Sequence, residues 1–294
     1  MTGEVPEWAA WMSPQSYQQF VTLCTGSIAA RGVRAGYDGD GIFRYEGGVI
    51  RVNGLARMLR EEPTERWAQV VDSFIAEMLV TPERRAEPID PASVFLSCTQ
   101  RAAIPEECLS SVIEVLPGIV LVPAIDHPNR VEKIIANNER TRPLGGSAAM
   151  LDLGRRNLAR APFFQNHSVL SQNQPDSIVT LITAPDPYVA GRLGVLDTVI
   201  PDFARGTIGI VVAVPVQEAM LVHVIRGPGL AVALNAMVPF AVSHYESDPH
   251  PLTPQLFFIG PDGGTQQITR TDPDGMPAVL VQGPFSAALR AALG

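Results

Sequence analysis

Two runs rich in β-branched residues, Ile208 to Val214 and Ala219 to Ile225, stand almost free of charge on either side of Pro215 to Glu218. A strand built from such a run has no polar face to offer water, so both of its faces must be covered. Proline is tolerated only where no ladder donor is needed, which places Pro215 in the turn. The pair therefore predicts an antiparallel hairpin at the centre of a sheet, with Val212 and Leu221 in the core. Gln217 and Glu218 lie in the turn, where polar substitution should change stability by less than about 0.5 kcal/mol.

The remaining pattern mixes helix and strand periods. Tyr17, Phe20, Val21, Cys24 and Ile28 recur at offsets of three and four, which predicts a helix over Ser16 to Ala30 ended by Gly32. Ile42 to Tyr45 and Val49 to Val52 flank Glu46-Gly47-Gly48 as a second hairpin. A stripe from Trp67 to Leu79 predicts a helix burying Trp67, Phe74 and Met78, with Glu65, Gln69 and Asp72 facing solvent. Thr81 to Pro91, with three prolines and a charge cluster, reads as a linker.

Beyond it, Ser93 to Cys98, Ile119 to Pro123, Ser177 to Thr183, Leu256 to Ile259 and Ala278 to Gln282 read as strands. Helices are expected from Ser147 to Ala159, from Asp186-Pro187 to Val199, over Leu230 to Tyr245 and over Phe285 to Leu293. The fold class is α+β: a small N-terminal helix-hairpin-helix unit over residues 1–85, then a larger mixed α+β domain over 86–294 with a central, mainly antiparallel sheet.

Charge and cysteine usage narrow the partners. The net charge is −8, and no basic cluster interrupts it, which argues against nucleic acid. Lys133 is the sole lysine, so nearly all positive charge is arginine, as a GC-rich genome would produce. No apolar stretch approaches the roughly 20 residues of a membrane span, and the N-terminus does not read as a secretory signal. Cys24, Cys98 and Cys108 have no metal spacing and no even pairing, which fits a reducing compartment. The expected location is the cytoplasm.

Each candidate site has a plainer reading beside it. Asp126-His127 follows a strand, where acid–base groups often sit, yet Pro128-Asn129 makes a turn the simpler account. His223 in an apolar strand reads as a half-buried, hydrogen-bonded histidine. His244 and His250 could hold a metal with Glu246 or Asp248, but prolines flank His250 and favour a surface loop. Gly145-Gly146-Ser147 could cradle an anion, but a glycine turn feeding a Ser147 cap suffices. Asp38-Gly39-Asp40-Gly41 starts like a calcium loop, but the twelfth position is Val49, which leaves a tight turn.

Asn157-Leu158 at a helix end, the strand pair Val212 to Val222 and the later Pro251-Leu252-Thr253 follow one order. That order resembles the YtpQ-like bacterial family of unknown function, over roughly residues 90 to 260. Gln217-Glu218 stands where that family favours Arg-Asp. The resemblance implies no established activity. The residues alone lead to a non-enzymatic accessory or protein-interaction protein of the cytoplasm, with no cofactor, no metal, another protein as partner and a homo-oligomer left open. The rivals are a hydrolase or transferase whose site combines Asp126, His127 and Cys98, and a small-ligand binding module.

Overall fold

The structure is a computed structural model, and it describes residues 5–45, 48–79, 88–127, 130–136, 139–201, 208–248, 251–272 and 277–294. Two compact units emerge: Met1–Pro88 with Pro128–Arg130, and Ile89–His127 with Val131–Gly294. The class is α+β.

In the first unit, α1 (Pro14–Ala30) starts at Ser13, whose hydroxyl accepts from the Ser16 amide. It ends at Gly32, which adopts φ 73°. The short strand β1 (Ala35–Tyr37) leads into the hairpin β2 (Ile42–Tyr45) and β3 (Gly48–Arg51), paired antiparallel in the order β1-β2-β3. The helix α2 (Asn53–Leu59), which no sequence signal announced, precedes α3 (Trp67–Met78). Phe20, Cys24 and Ile28 of α1 meet Trp67, Val71, Phe74 and Ile75 of α3 over Phe43 and Ile50. Of the stripe, Trp67 and Phe74 are buried as expected, whereas Met78 is 40% exposed. It occupies the last helical position, and the core contact passes to the next residue, Leu79, which is buried. The proposed linker falls largely on residues 80–87, outside the described residues.

Among its described residues the second unit carries two larger sheets and a two-stranded ribbon. In one, β4 (Val94–Gln100) and β5 (Ile113–Leu116) flank β6 (Ile119–His127), and β7 (Arg130–Lys133) also pairs with β6. The strand β6 thus continues through Asp126-His127, where the sequence favoured a turn. The helix α4 (Gly146–Leu158) follows, capped by Gly145 at φ 87°. Ser147 lies inside this helix and is buried, so it is not the cap.

The six-stranded sheet runs β13-β12-β10-β11-β9-β8. Its strands are β8 (Phe164–Ser171), β9 (Gln174–Thr183), β10 (Ile210–Ala213), β11 (Met220–Val224), β12 (Leu256–Ile259) and β13 (Thr265–Gln267). The segment before β10 is not the long helix expected from Asp186-Pro187. It forms a 3-10 turn, Ala190–Val195, and one helical turn, α5 (Leu196–Val199). The reason is steric: a Cβ on Gly191 would meet the Leu96 carbonyl oxygen at 2.0 Å, so this segment lies directly against β4.

The hairpin β10–β11 sits at the centre of the sheet, as its composition required. Alternation along the strands divides its side chains between two cores. Ile210, Val212, Met220, Val222 and Phe257 face the layer that includes Leu96, Leu121 and Leu158. Val211, Ala213, Leu221, Leu256 and Phe258 face α6 (Leu230–Ser247) and α7 (Gly283–Leu293). A small ribbon, β14 (Thr269–Thr271) with β15 (Pro277–Val279), joins the last strand to α7.

Candidate functional site

Asp126 and His127 end β6, and each already has a partner. The Tyr188 hydroxyl donates to Asp126 Oδ1 at 2.9 Å, and the Tyr188 ring stacks on Phe95 at 4.8 Å. Burial and the adjacent Asp126 hold the Tyr188 phenol well above its ordinary pKa. His127 Nε2 lies 2.8 Å from Glu132 Oε2, while Arg140 Nη1 donates to Glu132 Oε1 at 2.6 Å. Glu132 therefore bridges a histidine and an arginine. This is an imidazole–carboxylate pair of the kind that orients a general base.

Cys98 is elsewhere. It pairs with Leu121, five residues before Asp126 on β6, or about 17 Å along a strand. Its thiol is buried, donates to the Ala190 carbonyl at 3.2 Å, and is pushed up to about 12 by burial. A thiol so protected is not a nucleophile at neutral pH. Asp126 and His127 are neighbours at one end of β6, but successive strand residues face opposite ways and these two engage different partners, Tyr188 and Glu132; Cys98 joins neither.

A second polar centre was not anticipated. The Cys98 carbonyl accepts from both Lys133 Nζ and Gln217 Nε2 at 2.8 Å, and Ser97 Oγ donates to Gln217 Oε1 at 3.1 Å. The Pro215–Glu218 turn is held from other sides as well: the Ala190 amide donates to the Gln217 carbonyl and the Leu252 amide to that of Pro215. Lys133 has a partly exposed stem, but desolvation of its ammonium pulls its pKa down to about 8, against the opposing pull of Cys98 and Glu218. Desolvation, with Asp248 nearby, raises the Glu218 carboxyl. The turn is a joint between two sheets rather than a solvated loop, which overturns the expectation that Gln217 is indifferent. Its only trace in the sequence is the single lysine among so many arginines.

The other candidates resolve into local structure. His223 is buried, its Nδ1 2.8 Å from the Ile178 carbonyl, and burial lowers its pKa. His244 Nδ1 lies 3.0 Å from the Phe240 carbonyl, and its ring stacks on Phe240 at 3.8 Å. His250 lies outside the described residues. Among the described residues no three His, Cys, Asp or Glu side chains group as a metal site. Asp38 Oδ1 accepts from the Asp40 and Ile42 amides, which makes the expected tight turn. No helix of the described residues is long and apolar enough to cross a membrane.

One surface among the described residues remains, and no apolar period in the sequence marks it. Along β8 every residue from Phe164 to Leu170 is exposed, including Phe164 at 57% and Val169 at 58%. The strand forms an end of the six-stranded sheet. The opposite end, β13, is short and tied down, because the Gln266 side chain bonds the Gln282 carbonyl and the Phe285 amide. The strand β8 is missed in a reading by apolar period because Gln165, Asn166, His167 and Ser168 break the run. No family model, curated protein or solved structure matches this chain.

Proposed function

We propose that this chain is a protein-interaction module whose working surface is the edge strand β8. The observation that carries the reading is an eight-residue sheet edge that is exposed from Phe164 to Leu170 and bears no lysine, arginine, aspartate or glutamate. Unpaired amides and carbonyls on such an edge are a template for another strand, and proteins that must avoid pairing place charges or proline there. This edge has neither. A partner that supplies an extended segment gains main-chain hydrogen bonds along β8, with Phe164, Val169 and Leu170 offering apolar contacts beside them.

The test is a photoreactive amino acid placed at Val169 in cells, compared with the same group at exposed Arg156 on α4. Discrete adducts at 169 and none at 156 are expected. No adduct at 169, or the same diffuse labelling at both positions, would overturn the reading.

A further inference from the structure

We infer that the occupant of β8 is the β8 strand of a second copy of this chain, paired antiparallel about a two-fold axis through His167. The inference rests on the interaction reading above and names its partner. A two-fold axis perpendicular to a sheet keeps each side chain on its own face, so a residue must meet one an even number of positions away. With His167 on the axis, Phe164 meets Leu170 of the second copy, and Leu170 meets its Phe164. Gln165 meets Val169, and Asn166 meets Ser168. Shifting the axis to Asn166 or Ser168 breaks both Phe–Leu pairs, so the apolar residues select one register. Aromatic–aliphatic cross-strand pairs of this kind are the unit from which antiparallel sheets draw stability.

Charge permits the same occupant. Each copy carries −8, and two acidic surfaces repel where their charges face each other. From Ala161 to Pro175 the chain has no formally charged residue, so two copies meet here without placing like charges opposite. A strongly basic or acidic partner would find no complement on this strand. His167 does not spoil the axis, because its Nδ1 is engaged by Thr180 Oγ1 at 2.8 Å on the neighbouring strand. Pairing eight-residue strands buries less than the roughly 1,200 Å² of a standard interface, so the association is concentration-dependent rather than permanent.

The register makes a covalent test available. Residues directly opposite in an antiparallel pair have Cα atoms about 4.5–5.5 Å apart, inside the range a disulfide spans. The two copies of residue 169, by contrast, lie about 13 Å apart along the strands. In full-length protein carrying Cys108→Ser, His167→Cys is expected to form a disulfide-linked dimer under mild oxidation, and Val169→Cys is not. In sedimentation equilibrium, wild type should shift from monomer to dimer as concentration rises to about 100 μM. Leu170→Lys should weaken that association at least tenfold while leaving the monomer folded.

A monomer throughout, or a dimer that cross-links at 169 rather than 167, would overturn the inference. A monomer that still gives in-cell adducts at Val169 with a different protein refutes self-pairing and leaves the interaction reading standing. Loss of adducts as well refutes both.

Discussion

Arg192 has no exposed surface, yet it is a formal cation. It survives burial because its fork reaches the Leu158, Ala161 and Pro162 carbonyls at the C-terminal end of α4 and Asp186 Oδ2 at 2.8 Å. A helix C-terminus favours a cation, and a planar five-donor group satisfies acceptors that lysine cannot reach together. Arg192→Ala should therefore cost about 3–5 kcal/mol in urea titration, and Arg192→Lys should recover little of it. Lys133 gives a pH prediction of opposite sense to the usual lysine. Its folded pKa is near 8 and its unfolded value 10.5, so the unfolded chain holds more protons between them, and stability contributed by this group rises with pH across that window. The unfolding free energy of wild type minus that of Lys133→Met should grow as pH rises from 7 through 8 towards 10; a constant difference would show that the ammonium is solvated. None of this was legible at the residue scale, since burial of Arg192 and Lys133 is set by contacts from α4 and β4 that no local pattern encodes. Cys24 and Cys98 are buried as small hydrophobes, whereas Cys108 is only partly buried.

Elements with a strong period were readable and those governed by tertiary contact were not. Helices α1 and α3 follow from residues that recur on one face, and the hairpin β10–β11 from two β-branched runs without charge. The expected helix after Asp186 fails because Gly191 and Gly194 let the chain press against Leu96, a demand of the neighbouring sheet. Val212 is fully buried between Phe257 and Val222 on adjacent strands, so Val212→Asp should leave the second unit unfolded, read as loss of soluble yield and of its thermal transition. Gln217→Ala should lower stability by about 1–2 kcal/mol, since it removes the bonds to the Cys98 carbonyl and Ser97. An unchanged melting curve for Gln217→Ala would mean that the turn is solvated after all.

At the scale of the molecule, two compact units divide the chain, and the larger one covers both faces of the central strands of its six-stranded sheet while, among the described residues, β8 at one end stays exposed. The covered faces were implied by uncharged strands; the open edge was not, because its mixed polar sequence looks like a loop until its register with β9 is seen. That edge carries the functional account. Backbone amide exchange resolves it directly, since an unpaired edge exchanges quickly and a paired one slowly. The measurement is hydrogen–deuterium exchange of the β8 peptide from about 1 to 100 μM protein, with β12 as the internal reference and Leu170→Lys alongside. If two copies pair along β8, protection over residues 164–171 grows with concentration, stays flat over β12 and is absent in Leu170→Lys; exchange over β8 that does not depend on concentration, or changes equally in the variant, would rule such pairing out.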